Sequence, residues 1–195
     1  MRPFLTMTVA ASICVAPAAQ EPLTDTEIRD VVALGTSCGE VPLVKVTDPR
    51  GDFDVFIEGP VARVAIQAAA AAQMRRPFDA SMVTPEMTEP TFRVWLQYTL
   101  YGRRTISVDD VVLQPAGRNG ARDAMRPFRQ QPFELTIGHL PAHGIVDAVR
   151  FRWTQWTFDR LPAGPFDVIL STTAGVQRYT VTDKDRSASF RVCTG

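Results

Sequence analysis

Apolar and polar residues alternate along most of the chain after residue 90, which is the period of a β-strand. In TFRVWLQYTL, residues 91–100, the alternation puts Phe92, Val94, Leu96 and Tyr98 on one face. Six further segments continue this pattern: RTISVDDVVLQP, PFELTIG, VDAVRFRWTQWTF, FDVILST, VQRYTVT and ASFRVC. Glycine, proline and aspartate separate them, and RTISVDDVVLQP is either two short strands or one bulged strand. Short strands at this spacing predict a sandwich or a barrel.

The segment LTDTEIRDVVALG predicts a first helix, because Thr24 and Glu27 have the spacing of a capping box. Apolar residues follow at helical spacing: Ile28, Val31, Val32 and Leu34. We expect Gly35 to be the C′ residue that ends this helix. The next two segments, EVPLVKV and FDVFIE, read as strands separated by the turn DPRGD.

A second helix is predicted in VARVAIQAAAAAQMRR, whose alanine content favours helix. Gly59 precedes Pro60, which suits the first helical position. Arg75 and Arg76 are expected in the last turn, before Pro77. Strands and helices do not alternate, so a parallel sheet is excluded. The predicted fold is α+β and mainly β: an antiparallel sandwich on which the N-terminal and Ala-rich helices pack.

Two turn-rich segments, LPAGPFDVIL and TTAGVQRYTV, predict a hairpin near the C-terminus. This stretch resembles the closing hairpin of many extracellular immunoglobulin-like and prealbumin-like β-sandwich modules. The resemblance covers about 20 residues and rests on turn-forming residues. It implies a sandwich of one of these two types and no particular function.

The N-terminal segment MRPFLTMTVAASICVAPAAQ has the features of a secretory signal peptide. Arg2 supplies the positive charge, an apolar run of twelve residues follows, and Ala16 and Ala18 form an A-x-A-like cleavage site. We predict a signal peptide of residues 1–18 and a single domain of residues 19–195, with cleavage after Ala19 or Gln20 as alternatives. The other interpretation is an N-terminal strand or helix of the folded protein.

Because a signal peptide directs export, we predict a periplasmic or secreted protein. The residue before Cys14 is Ile13, whereas lipoprotein signals have a small residue there, so lipidation is not expected. The remaining cysteines, Cys38 and Cys193, are predicted to form a disulfide, because exported chains meet an oxidising compartment. No other apolar run is long enough for a transmembrane helix, so the mature chain is expected to have none.

The chain has 21 basic and 21 acidic residues and therefore no net charge. Nucleic-acid binders usually carry a basic excess, because neutralised phosphates supply much of their affinity. Nucleic acid is therefore excluded as a partner. Nearly all the basic residues are arginine, which suggests a GC-rich bacterial source.

In LGTSCGE, residues 34–40, Ser37 fits the G-x-S-x-G pattern of a hydrolase nucleophile elbow. The elbow requires a strand before the serine and a helix after it, whereas here a predicted helix precedes and a predicted strand follows. We interpret this segment as the place where Cys38 anchors the fold, and we predict no catalytic residue.

The histidines His139 and His143, with Asp147, could place metal ligands in one loop, but zinc sites usually show a clearer grouping. An exposed hairpin loop is the preferred interpretation. Pairs of aspartates occur at three places: Asp52 and Asp54, Asp109 and Asp110, and Asp183 and Asp185. Turn and surface roles are expected for them, with a glycosidase pair as the alternative. No metal and no cofactor are predicted.

The aromatic segment FRWTQWTF alternates Phe151 and Trp153 with Trp156 and Phe158. Aromatic residues on an open sheet can stack on sugar rings or bases. They more often fill a core, and we predict core packing for these four residues.

The segment QPAGRNGARDAMRPFRQQP holds Arg118, Arg122, Arg126 and Arg129 with one acidic residue, Asp123. Weak structural signals predict a long loop, and such loops are often functional. Arginine recognises carboxylates and phosphates well. These arginines are therefore interpreted as the contact for an acidic envelope protein, glycan or lipid head group. The alternative is a solvated loop.

These patterns together predict an exported, non-catalytic binding or structural module of the cell envelope. Two alternatives stay open: a periplasmic carrier of a small apolar or sugar ligand, and a hydrolase whose site the sequence does not reveal.

Overall fold

The computed structural model describes residues 22–47, 53–98, 108–117, 123–136 and 150–193. The predicted signal peptide, Cys14 and the candidate metal ligands His139, His143 and Asp147 lie outside these ranges. Export and cleavage therefore stay predictions.

In the described ranges the chain forms two antiparallel sheets and four short helices. The helices are α1 (Asp25–Thr36), α2 (Pro60–Gln73), α3 (Pro85–Thr88) and α4 (Asp183–Arg186), with a 3₁₀ turn at Ala80–Met82. The strands are β1 (Glu40–Thr47), β2 (Phe53–Glu58), β3 (Phe92–Tyr98), β4 (Val108–Pro115), β5 (Arg129–Thr136), β6 (Arg150–Phe158), β7 (Phe166–Thr172), β8 (Gly175–Val181) and β9 (Ser189–Arg191).

The six-stranded sheet has the order β5-β6-β3-β2-β1-β9, and the three-stranded sheet has the order β4-β7-β8. All the pairings are antiparallel. The prediction of a mainly β, sandwich-like α+β fold is confirmed. Strand β4 pairs with β7 with an irregular register between Val108 and Asp110, so the described part of RTISVDDVVLQP is one bulged strand.

The six-stranded sheet lies between the three-stranded sheet and helices α1 and α2. On β2, Val55 and Ile57 belong to the core between the two sheets. Phe56, between them in sequence, belongs to a second core that includes Val32 of α1 and Val64 of α2. Because the central strands are buried on both faces, their sequences are apolar at consecutive positions.

The core between the sheets contains the aromatic residues predicted from β6. Trp156 and Phe158 are both completely buried there. Val94 and Leu96 of β3 face the same core, as their alternation predicts. Core packing is therefore confirmed for Trp156 and Phe158, whereas the side chains of Phe151 and Trp153 lie outside the described part.

The start of α1 is as predicted, but its end is not. Thr24 and Glu27 form the reciprocal capping box. Gly35, however, lies inside the helix, and Cys38 adopts the left-handed conformation, with φ 58°. The Cys38 amide donates to Gly35 O and the Gly39 amide to Leu34 O, which is the Schellman arrangement. The prediction of Gly35 as the C′ residue is wrong, because the helix continues past it to present Gly35 to α2.

The start of α2 is likewise confirmed, with Gly59 as N-cap and Pro60 in the first turn. The predicted end is wrong, because α2 ends at Gln73 and Arg75 adopts a left-handed φ of 54°. The Arg76 amide donates to Ala71 O over 2.8 Å and closes the C-terminus. Arg75 and Arg76 therefore lie beyond the last helical turn.

The first two helices pack closely because their contact consists of small residues. Gly35 is buried, and a Cβ added to it would lie 2.4 Å from Ala65 O and 2.8 Å from Ala68 Cβ. Ala62, Ala65 and Ala68 on α2 are completely buried. The alanine-rich composition of α2 thus supports both helix formation and the approach of α1.

Replacing Gly35 with alanine is expected to lower the free energy of unfolding by about 1–3 kcal/mol, although alanine favours helix. The new methyl group overlaps the α2 backbone, so the helices must move apart. Urea denaturation of both proteins measures the difference. The matched control Ala33→Val, at an exposed position of the same helix, should change stability by less than about 1 kcal/mol. An equal or higher stability of Gly35→Ala would contradict the packing argument.

The disulfide between Cys38 and Cys193 is confirmed. It joins residues 155 positions apart in sequence, with their Cα atoms 5.1 Å apart. Cys38 follows α1, and Cys193 follows β9, which pairs with the beginning of β1. The bridge therefore fastens the end of the described chain to the junction of α1 and β1.

Candidate functional site

The arginine-rich segment is only partly a loop. Its first two residues, Gln114 and Pro115, belong to β4, and β5 begins at Arg129. Between them, Met125 forms an isolated antiparallel bridge with Leu113. The prediction of one long loop is therefore corrected, because backbone pairing extends into the segment from both ends.

Two of the four predicted partner-binding arginines are described, and Arg118 and Arg122 lie outside the described ranges. Arg126 Nη1 lies 3.0 Å from Asp110 Oδ2, and Arg129 Nη1 lies 3.6 Å from Glu89 Oε2. The arginine side chains are 72% and 41% exposed. Ion pairs this exposed are weak, so both guanidinium groups stay accessible to a partner.

Phe128 lies between these arginines in sequence and is 56% exposed. Its amide donates to Thr157 O over 3.0 Å, which fixes the backbone beside β6. The Arg129 guanidinium lies 5.7 Å from the centre of the Phe128 ring. An aromatic ring and a guanidinium group are therefore held together at the surface.

A depression of about 360 Å³ adjoins this segment. Residues 123–125 and residues 160–163 line it. The Met125 bridge fixes the first of these two segments, and Arg186, whose guanidinium donates to Pro162 O over 2.9 Å, fixes the second. We call residues 123–131 together with 160–163 the arginine–aromatic surface.

A second polar cluster, not predicted from the sequence, is buried beneath α2. Glu58 ends β2 and Arg63 lies in α2, and their exposed fractions are 6% and 3%. Arg63 Nε lies 3.7 Å from Glu58 Oε1, and the Trp95 indole donates to Glu58 Oε2 over 3.3 Å. Trp95 also stacks on Phe56, with ring centres 3.9 Å apart. A charged residue inside an alanine-rich helix was the available signal for this cluster.

Arg63 holds the segment that leads into β3. Its guanidinium donates to Glu86 O over 2.9 Å and to Thr91 O over 2.6 Å, with a longer contact to Glu89 O at 3.4 Å. This one side chain therefore satisfies carbonyl groups from α3 to the start of β3. Because those partners are backbone atoms of the same fold, the geometry indicates a structural role.

Burial dominates the titration of the pair. It raises the pKa of Glu58 above its ordinary 4.5, against the charges of Arg63 and Arg93 and the Trp95 hydrogen bond. Burial, together with the charge of Arg93, lowers the pKa of Arg63 to about 10, so this group stays charged at neutral pH.

The raised pKa of Glu58 predicts how stability depends on pH. The folded state binds the Glu58 proton more readily than the unfolded state does. The stabilisation that results is complete below about pH 4.5 and is lost as the pH rises through the pKa of Glu58 in the folded state. Replacing Glu58 with glutamine removes this titration. The stability of the wild type minus that of Glu58→Gln should therefore decrease between pH 4 and pH 8, measured by urea denaturation at each pH. A difference that grows with pH would contradict the assignment.

Ser37 lies in the context predicted for it. Helix α1 precedes it and strand β1 follows, the reverse of a nucleophile elbow. Its hydroxyl donates to Leu34 O over 3.0 Å at the helix end. The described contacts of Ser37 are thus those of a helix C-terminus next to the disulfide.

Three described aspartates of the acidic pairs have partners at the surface. Asp54 Oδ2 lies 3.1 Å from Lys45 Nζ, Asp110 pairs with Arg126, and Asp185 caps α4 by accepting from Thr182. Among the residues that the structure describes, no group of three or more histidine, cysteine, aspartate or glutamate side chains is placed to hold a metal ion.

In the described part of the chain, no helix has the length and apolar character needed to cross a bilayer. The chain matches no protein-family model, and no curated protein or solved structure matches it.

Proposed function

We propose that the protein is an exported, non-catalytic binding module of the cell envelope that docks an acidic partner protein on its arginine–aromatic surface. In this proposal the signal peptide of residues 1–18 is removed, and residues 19–195 act in the periplasm or outside the cell. The Cys38–Cys193 disulfide is compatible with such an oxidising location.

The observation that carries the proposal is the exposed Phe128 ring held against Arg129. Aromatic residues and arginine are enriched where proteins bind one another and contribute much of the binding energy. When a partner covers the ring, its apolar surface is removed from water, which favours binding.

The charge of the segment indicates the kind of partner. Residues 114–132 contain four arginines and one acidic residue. Arg160, which also lines the depression, makes no hydrogen bond or ion pair with another described residue, so its guanidinium donors are available. A carboxylate-rich protein surface matches this chemistry, and Phe128 favours a protein over a glycan or a lipid head group.

A finer fold assignment belongs to the same proposal. We infer that the two sheets form an immunoglobulin-like or prealbumin-like sandwich, supported by the β7–β8 hairpin and the shared core between the sheets. An experimental structure that assigns the order of all the strands tests this assignment.

Crosslinking of the tagged protein in intact envelopes, followed by purification and mass spectrometry, tests the function. Three variants run beside the wild type. One replaces all four arginines of the segment with glutamine, one is Phe128→Ala, and the control replaces the exposed Arg75 and Arg76 with glutamine.

We expect one acidic protein to crosslink to the wild type and to the control and to be lost from the first two variants. A partner retained by all the variants would overturn the assignment of the surface. If the purified protein instead binds anionic vesicles or an acidic polysaccharide through these arginines and no protein is captured, the partner class in the proposal is wrong.

A further inference from the structure

The two sheets end in four edge strands, because neither sheet closes on itself in the described part. These are β5 and β9 in the six-stranded sheet and β4 and β8 in the three-stranded sheet. The outer backbone groups of an edge strand can pair with another chain unless the protein blocks them.

Three of the edges carry a recognisable block. Strand β5 contains Pro132, which lacks an N–H group. Strand β9 is only three residues long. The outer side of β4 is occupied where Leu113 and Met125 exchange two backbone hydrogen bonds of 3.0 and 2.8 Å.

Strand β8 has no such block in the described chain. It contains seven residues without proline and pairs with β7 in a continuous register from Val181 to Gly175. The two-residue loop between Thr172 and Gly175 makes that pair a hydrogen-bonded one. Alternation along the strand then turns the N–H and C=O groups of Val176, Arg178 and Thr180 away from β7.

The three outward residues are also exposed on their side chains. Val176 is 73% exposed, more than any other large apolar side chain among the described residues. Arg178 is 44% exposed and lies 3.0 Å from Asp167, whose carboxylate also accepts from the Thr180 hydroxyl. Residues 176–180 therefore combine outward-facing backbone groups, the exposed apolar side chain of Val176 and the charged side chain of Arg178.

We propose that the β8 edge binds an extended segment of a partner protein as an added antiparallel strand. The segment carries an acidic residue opposite Arg178 and an apolar residue opposite Val176. This inference rests on the proposed function, that of a protein-binding module, but uses a different surface. A second copy of the chain is disfavoured, since pairing β8 with itself over all three outward residues sets Arg178 opposite Arg178.

The probe is a peptide of sequence STVEVVS with blocked ends. In the proposed pairing its threonine lies opposite Thr180, its glutamate opposite Arg178, and the valine directly before the last serine opposite Val176. Its titration into the purified, ¹⁵N-labelled, disulfide-bonded protein is followed by NMR and amide exchange. We expect shifts and slower exchange at the amides of Val176, Arg178 and Thr180. The peptide STVKVVS should bind at least about tenfold more weakly, because its lysine faces Arg178.

Three variants separate edge pairing and charge recognition from other contacts. Val176→Pro removes an outward N–H group without removing a bond to β7, and should weaken binding at least about tenfold. Val176→Thr keeps the edge and should bind within about threefold of the wild type. Arg178→Gln should remove the preference for STVEVVS over STVKVVS. Each variant is used only if its amide NMR spectrum outside strand β8 is unchanged, which shows that the protein remains folded.

Equal binding of both peptides, or binding unaffected by Val176→Pro, would overturn the inference, as would shifts confined to other strands. The same titration with the four-arginine variant distinguishes the two proposals. Peptide binding that survives in that variant, while the envelope partner is lost, assigns two separate surfaces. If the wild type binds the peptide at the β8 edge but captures no envelope protein through the arginine–aromatic surface, only this inference stands.

Discussion

Removing the Cys38–Cys193 disulfide is expected to lower the free energy of unfolding by about 5 kcal/mol, because the bridge closes a loop of 155 residues in the unfolded chain. Total stabilities of domains are typically about 5–15 kcal/mol, so this loss is a large fraction. The double variant Cys38→Ser, Cys193→Ser and the wild type are compared by urea denaturation. The strand β9, three residues long, should also exchange its amides faster in the variant.

A second double variant, Cys38→Gly with Cys193→Ser, separates the crosslink from the backbone at Cys38. Residue 38 has a left-handed φ of 58°, which glycine adopts without strain. This variant should recover up to about 1 kcal/mol relative to the serine variant. A reducing agent should destabilise the wild type and leave both variants unchanged. If the wild type keeps its stability after reduction, the cross-link is not a major determinant of the fold.

Replacing Arg63 with leucine is expected to lower the free energy of unfolding by about 3–5 kcal/mol, because it leaves Glu58 buried without its charged partner. It also removes the donors to the carbonyls of Glu86 and Thr91. Thermal and urea denaturation measure the loss. Amide exchange should become faster in residues 85–91, which Arg63 holds against α2.

The matched control is Arg126→Leu, which breaks a 3.0 Å ion pair of an arginine that is 72% exposed. That change should cost no more than about 1 kcal/mol, since exposed pairs contribute little. The double variant Glu58→Gln, Arg63→Leu removes the unpaired carboxylate and should recover part of the loss. Equal costs for Arg63→Leu and Arg126→Leu would show that burial of the pair adds nothing.

Much of the secondary structure was predictable from local patterns. Strands β2 and β7 occupy the predicted residues, and the capping box of α1 and the Gly59–Pro60 start of α2 are confirmed. These features depend on short-range chemistry, namely side chains that bond to their own helix end and alternation along one strand. The predicted ends of α1 and α2 were wrong, because two non-glycine residues, Cys38 and Arg75, adopt the left-handed conformation that closes each helix.

The candidate site was less predictable. The composition of residues 114–132 singled out the arginines, but the exposure of Phe128 depends on how its backbone is tied to Thr157 of β6. The pairing of Glu58 with Arg63 and the open edge of β8 were not foreseen. Both result from contacts or missing neighbours that are remote in sequence. A charged residue in an alanine-rich helix marks Arg63 as unusual, but no local pattern names Glu58 as its partner or places β8 at an edge.

The fold class, the two helix starts and the pairing of Cys38 with Cys193 follow from local patterns, because propensity, capping and the number of cysteines are properties of the chain. Packing between remote segments divides the described strands into sheets of six and three, places Gly35 against Ala65 and brings Arg63 into the core. Those outcomes depend on which surfaces meet. That choice is made by the total burial of apolar surface over the whole domain rather than by any one segment.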